Sequence, residues 1–115
     1  MHELSIASAI VDAARAEARS HPGARLQTLG LLVGALSGVN PEALRFCFDS
    51  LTKETELEGL RLEIQECPQR NLCPQCPLTF DVIEYQAACP ECGTRQTECV
   101  SGHELELAYL EVEEP

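Results

Sequence analysis

Four cysteines in two closely spaced pairs constrain this chain more than any other feature of its sequence. The chain reads CPQC at 73–76 and CPEC at 89–92, with 12 residues between the two knuckles. Four thiolates complete the closed tetrahedral coordination that structural zinc prefers. The spacing therefore predicts one structural zinc ion, bound by Cys73, Cys76, Cys89 and Cys92. A thioredoxin-like redox pair fits less well, because it needs a single C-x-x-C after a strand.

The other cysteines do not belong to this pattern. The chain has 7 cysteines in all, an odd number, and its N-terminus shows neither a secretion signal nor a transit sequence. We therefore expect a cytoplasmic protein that uses thiolates and metal sites rather than disulfides. Cys47 lies on the apolar side of a predicted helix and is expected in the core. Cys67 and Cys99 flank the knuckles. Two possibilities stay open: that these two cysteines face each other, and that either one is an alternative zinc ligand.

The remaining sequence has the patterns of a small α+β domain. Apolar residues recur at helical spacing over 3–20, and Asn40 followed by Pro41 predicts the cap and first turn of a second helix. Strands are predicted at 26–33, at 60–65 and after Gly102, and the apolar phase of the last strand slips at Leu110 and Val112. The predicted fold is a three-stranded sheet with two helices, plus an inserted four-cysteine, zinc-ribbon-like domain.

The domain boundaries follow from composition. Residues 67–101 are rich in Cys, Pro, Gln and Thr and contain only short apolar pieces. The last strand needs a pairing partner that this segment cannot supply, so the chain is expected to return to the first sheet. Residues 1–66 and 102–115 are therefore predicted to form one domain, into which a zinc domain of residues 67–101 is inserted.

Charge and length exclude several classes of function. Asp and Glu number 19 against 8 Lys and Arg, a formal net charge of -11, and this charge repels nucleic acid. The longest apolar stretch, around 29–36, is far shorter than the roughly 20 residues that span a membrane. We find no nucleophile–base pair, no phosphate loop and no zinc site with an open position, so we predict that the chain is not an enzyme. The alternative function is a zinc-ribbon adaptor that binds protein or nucleic acid.

The N-terminus offers a second metal site of different chemistry. The α-amine of Met1, the deprotonated amide of His2 and the His2 imidazole can close adjacent chelate rings in one plane. Square-planar, nitrogen-rich geometry suits Ni(II) or Cu(II). Taken alone, a histidine at position 2 is equally consistent with a solvated chain end.

The chain resembles the HypA/HybF family of nickel metallochaperones over nearly its whole length. The resemblance rests on the opening residues 1–5, the stretch 36–42 followed by Leu44, Phe46 and Phe48, both knuckles, and residues 102–105. It implies a nickel-binding α/β domain and an inserted zinc domain. It also implies delivery of nickel, with a partner GTPase, to the large subunit of [NiFe]-hydrogenase.

The resemblance also implies roles for individual residues. His2 would be the essential nickel ligand beside Met1, and Glu3 would contribute its backbone amide or its carboxylate. Zn(II) would be structural and Ni(II) the cargo, in a monomer or a homodimer. Pro77 follows the first knuckle where the family usually has glycine, which is expected to affect the turn but not the number of ligands. No histidine flanks the knuckles, so we do not expect zinc ligation to switch with pH.

Overall fold

The computed structural model describes residues 2–113 and has the predicted α+β architecture. In chain order its elements are α1 (Glu3–Ser20), β1 (Arg25–Gly34), α2 (Pro41–Thr52), β2 (Arg61–Cys67), β3 (Arg70–Cys73), β4 (Leu78–Asp81), β5 (Glu98–Ser101) and β6 (Leu105–Glu113). The strands form two separate three-stranded sheets. Within the part of the chain that is described, no helix is long and apolar enough to cross a membrane.

The first sheet has the order β2-β1-β6, with β1 at its centre. β1 pairs in parallel with β2 and antiparallel with β6, so the last strand does return to the first sheet as predicted. Leu29, Leu31 and Val33 point from β1 into a core that both helices share. On the opposite face, Thr28 is fully buried and accepts a hydrogen bond from Arg61 at 3.1 Å. Both faces of β1 are therefore covered, as its apolar residues in both phases indicate.

The two helices begin and end close to the predicted residues. α1 buries Ala7, Ile10, Val11 and Ala14, and the small alanines let it pack closely. α2 begins at Pro41, and the Asn40 side chain accepts hydrogen bonds from the backbone N–H groups of the next helical residues at 3.0 and 3.1 Å. This is the predicted cap, which satisfies N–H groups that have no partner within the helix.

The apolar face of α2 contains Leu44 and Phe48, which are fully buried, and Cys47, which packs against the core from a half-buried position. The prediction that Cys47 is a core residue is confirmed. Its neighbour Phe46 points outward and is exposed.

β6 contains the irregularity that its sequence suggests. Gly30 pairs with Tyr109 and Leu31 with Leu107, so Ala108 is the extra residue of a β-bulge. The bulge turns Tyr109 to the face opposite the core, where its ring lies on Gly30, while Leu110 packs against the core. The bulge at Ala108 reverses the phase of the residues that follow it and places Leu110 on the core side with Leu105, which confirms the predicted slip.

Three backbone hydrogen bonds connect the end of β1 to the points where the chain leaves and re-enters the first sheet. Gly34 N–H donates to the Glu104 carbonyl at 2.6 Å, Ala35 N–H to Cys67 at 2.8 Å, and Leu36 N–H to Gly102 at 2.7 Å. The second sheet, of order β4-β3-β5, is entirely antiparallel. Residues 68–104 thus leave and return at one point beside the end of β1.

Candidate metal centre

The two knuckles of the second sheet bring four thiols together. The sulfur atoms of Cys73, Cys76, Cys89 and Cys92 all lie within 4.8 Å of one another. Tetrahedral zinc with bonds of about 2.3 Å separates its sulfur ligands by about 3.8 Å. The sulfur atoms of Cys73 and Cys92 are 3.7 Å apart, which matches this geometry.

Local backbone structure orients the sulfur atoms. Cys73 ends β3, and the N–H of Cys76 donates to its sulfur at 3.4 Å. In the second knuckle the N–H of Glu91 donates to the sulfur of Cys89 at 3.4 Å, and Gly93 closes the turn with a φ of 76°. Such a positive φ favours glycine. Both knuckles therefore direct backbone dipoles at a sulfur atom, as a bound thiolate requires.

The acid–base properties of the cluster are those of a cation site. Backbone N–H groups of Cys92 and Glu91 lower the pKa of Cys89 from 9.0 to about 7. Hydrogen bonding to Cys92, followed by burial, raises the pKa of Cys76 to about 12. Four thiolates this close together would repel one another, because their charges are alike. A divalent cation would compensate this repulsion.

Burial shows why a metal ion suits this segment. Among residues 68–101, the only buried ones are Asn71, Cys73 and Cys89. Asn71 is occupied locally, since its amide donates to the hydroxyl of Thr97 at 3.0 Å. Two of three buried positions are therefore candidate ligands, and apolar packing alone cannot hold β3, β4 and β5 together. The donor set and the missing core both fit structural zinc.

The predicted second site lies at the start of α1. His2 is exposed at the N-cap position, with extended backbone and no side-chain capping bond, and Met1 lies outside the described residues. Glu3 is half-buried, and its carboxylate accepts a hydrogen bond from the backbone N–H of Asn40 at 3.3 Å. The chain start is thus tied through Glu3 to the cap of α2, while the side chain of His2 faces solvent.

Cys67 and Cys99 do not join either site. The Cys67 thiol is 3.9 Å from the Gln65 carbonyl, and the Cys99 thiol donates to the Ser101 carbonyl at 3.3 Å. In the register of the sheets, Cys67 lies beside Gly34 and Cys99 opposite Asn71. Neither belongs to the metal-binding group found among residues 2–113.

One contact of the cluster escapes sequence reasoning. Gln75 Oε1 lies 3.8 Å from the sulfur of Cys92, so the first knuckle touches the second through a side chain. Gln75 is a variable x of its C-x-x-C, and the motif gives no signal at that position. The contact becomes apparent only in the folded structure, where the two knuckles face each other.

Comparison with known proteins agrees with this architecture. A family model described as hydrogenase/urease nickel incorporation, metallochaperone, HypA matches residues 1–112. The hydrogenase maturation factor HypA of Geobacter metallireducens is 42% identical over 113 residues, which cover 98% of this chain and 100% of that protein. HypA of Pelodictyon phaeoclathratiforme is 40% identical over 114 residues, covering 99% and 97%.

Solved structures share the fold. The solution structure of the Ni metallochaperone HypA from Helicobacter pylori has a TM-score of 0.66 at 19% identity and covers 100% of both chains. A second solution structure of a HypA protein has a TM-score of 0.69 at 20% identity and covers 96% of this chain and 95% of the other. The family description names a metallochaperone, which confirms the prediction that the chain is not an enzyme. The whole-length match and the identity of these relatives show that this chain belongs to the HypA family.

Proposed function

We propose that this protein is a cytoplasmic nickel metallochaperone of hydrogenase maturation. It binds Ni(II) through Met1, His2 and Glu3 and, with a partner GTPase, hands the ion to the large subunit of [NiFe]-hydrogenase. A structural zinc ion bound by four cysteines stabilises the second sheet. The observation that carries the proposal is the exposed His2, positioned by Glu3 at the start of a helix, in a chain of this family.

The position of Glu3 favours one of its two possible roles. Its carboxylate already accepts the Asn40 N–H. The backbone N–H of the first residue of α1, in contrast, has no partner within the helix. We infer that Glu3 contributes its backbone amide to nickel and that its carboxylate holds the N-terminus in place. The clamp then consists of nitrogen atoms, which suit square-planar Ni(II).

Nickel release follows from the same donors. Protons compete with nickel for the imidazole and the α-amine, because each donor binds a metal only in its deprotonated form. An exposed clamp also lets an incoming ligand replace its donors one at a time. Nickel therefore binds firmly near pH 7.5 and leaves more readily at pH 6.0.

The test compares nickel binding by the native chain, His2→Ala and a variant with one residue added before Met1. Calorimetry with the zinc-loaded protein at pH 7.5 is expected to show one nickel site in the native chain and a loss of at least tenfold in affinity in both variants. Zinc content serves as the internal control and stays at one equivalent in all three. Equal nickel affinity in the three proteins, or equal affinity of the native chain at pH 7.5 and 6.0, would reject this ligand set.

The charges of the second sheet argue against nucleic-acid binding. Between Cys67 and Cys99 the only cationic residues are Arg70 and Arg95, and Arg70 is engaged by Asp81 at 2.8 Å. Zinc with four thiolates would add two further negative charges. Salt-sensitive binding of DNA or RNA in a gel shift would instead support the adaptor function.

A further inference from the structure

The cysteines of the cluster differ in their exposure and in the donors to their sulfur atoms. Cys73 and Cys89 are 0% and 3% exposed, and each sulfur accepts a backbone N–H bond. Cys92 is exposed, and no backbone donor to its sulfur is seen within residues 2–113. Beyond the other cysteines, the Cys92 sulfur contacts the side-chain amide of Gln75, 17 residues earlier in the chain. The most accessible sulfur of the cluster therefore depends on a side chain.

The chemistry of that contact changes when a metal binds. In the structure, the protonated Cys92 thiol donates to Gln75 Oε1 at 3.8 Å. A metal-bound thiolate has no proton and can only accept. A half-turn about the last bond of Gln75 exchanges its oxygen and nitrogen positions, so the amide N–H then points at the sulfur. The same side chain can thus satisfy either state of Cys92.

We propose that Gln75 is a positioning residue of the four-cysteine site, whose side-chain N–H donates to the Cys92 thiolate and slows the loss of zinc. This inference rests on the proposal that the four cysteines bind zinc. A hydrogen bond to a charged sulfur is stronger than one between neutral groups. The amide also covers part of the exposed sulfur.

The expected size of the effect follows from the behaviour of other metal sites. Loss of an outer hydrogen-bond partner typically lowers metal affinity about 10- to 100-fold. Gln75→Leu keeps the approximate volume but removes the donor, so zinc transfer to a chelator should become about tenfold faster. Gln75→Glu should accelerate it further, because a carboxylate adds a negative charge beside four thiolates.

The second knuckle provides a matched control. Glu91 occupies the position in CPEC that Gln75 occupies in CPQC. Glu91 is also exposed, but it contributes only its backbone N–H to the cluster, at the sulfur of Cys89. Glu91→Leu therefore removes an equivalent surface side chain without removing a side-chain donor. It also removes one negative charge, so its rate of zinc loss should be no faster than the native rate.

The experiment uses the full chain loaded with one equivalent of zinc. Zinc transfer to a chromogenic chelator is followed at pH 7.0 for the native protein, Gln75→Leu, Gln75→Glu and Glu91→Leu. Far-UV circular dichroism and zinc content verify that each variant is folded and loaded. Replacing zinc by Co(II) adds a second readout, because loss of a donor to a thiolate shifts the sulfur-to-cobalt charge-transfer band.

The outcomes separate this inference from the one on which it rests. Faster zinc loss and a shifted cobalt band in the Gln75 variants, with zinc loss from Glu91→Leu no faster than from the native chain, support the role of Gln75. A Gln75→Leu protein that keeps the native rate and the native band overturns it, although the four-cysteine site stands. Acceleration of the same size in Glu91→Leu also overturns it, since any change of the knuckle surface would then suffice. A native chain that binds no zinc overturns both proposals.

Discussion

Gly30 and Gly34 lie on the same face of β1, but they have different neighbours. A Cβ atom on Gly30 would lie 2.1 Å from the ring of Tyr109, which is a half-exposed side chain. A Cβ atom on Gly34 would lie 2.0 Å from the backbone carbonyl oxygen of Gly102. A side chain can rotate away from such a clash, whereas this backbone is held by the hydrogen bonds that Gly34 and Leu36 donate to Glu104 and Gly102.

Gly34→Ala is therefore expected to destabilise the protein more than Gly30→Ala. Overpacking typically costs about 1–3 kcal/mol, and we expect about 3 kcal/mol at Gly34 and about 1 kcal/mol at Gly30. Urea unfolding followed by circular dichroism measures both. Removing the ring in Gly30→Ala/Tyr109→Ala should cancel most of the first cost, while Tyr109→Ala should leave the cost at Gly34 unchanged. Equal costs for the two alanines would contradict this interpretation.

At the scale of elements, we expect the second sheet to depend on the proposed metal site. β3, β4 and β5 have four residues each, and the segment 68–101 buries little besides two cysteines. Sheets this small are marginal without further support. The first sheet instead has an apolar core that both helices share. The two sheets should therefore respond differently to loss of zinc.

Cys73→Ser is expected to unfold residues 68–101 and to leave α1, α2 and the first sheet folded. Amide resonances in a nitrogen–proton correlation spectrum would show this as collapse of one set of peaks and retention of the other. Chelation of zinc from the native chain should give the same spectrum, and Cys99→Ser, on the same sheet but outside the cluster, should leave it unchanged. Collapse of all resonances in Cys73→Ser would show that the sheets fold as one unit.

At the scale of the whole molecule, the dominant feature is negative charge. A formal net charge of -11 on 115 residues destabilises the compact state by self-repulsion. Much of it lies on or next to β6, where Glu104, Glu106, Glu111 and Glu113 fall within ten residues. Mobile ions screen such repulsion over about 10 Å at 0.1 M salt.

Sodium chloride is therefore expected to stabilise the protein. Between about 10 mM and 300 mM salt, we expect the melting temperature of the zinc-loaded chain to rise by about 2–5 °C, a shift of about 1 kcal/mol or less. Differential scanning calorimetry measures this rise. The variant Glu106→Gln/Glu111→Gln should start from a higher melting temperature and gain less from salt. A melting temperature that falls with salt would mean that attractive ion pairs outweigh repulsion.

Several features could be predicted from the sequence because they depend on neighbours along the chain. The cap of α2 is one, since the backbone N–H groups that donate to Asn40 lie only two or three residues after it. Apolar periodicity likewise located α1, and the paired knuckles identified the four cysteines that the structure brings together. In each case the relevant energy is local, or the residue types are rare enough to carry the information alone.

Only the tertiary structure decided the contacts between distant segments. The ring of Tyr109 lies on Gly30, and no pattern within β6 identifies Gly30 as that neighbour. Gln75 meets Cys92 because the two knuckles face each other. The sequence by itself determined the four cysteines, the helices and the acidic charge. Packing decided which side chains meet across the fold, since those energies depend on shapes that form only when the whole chain is assembled.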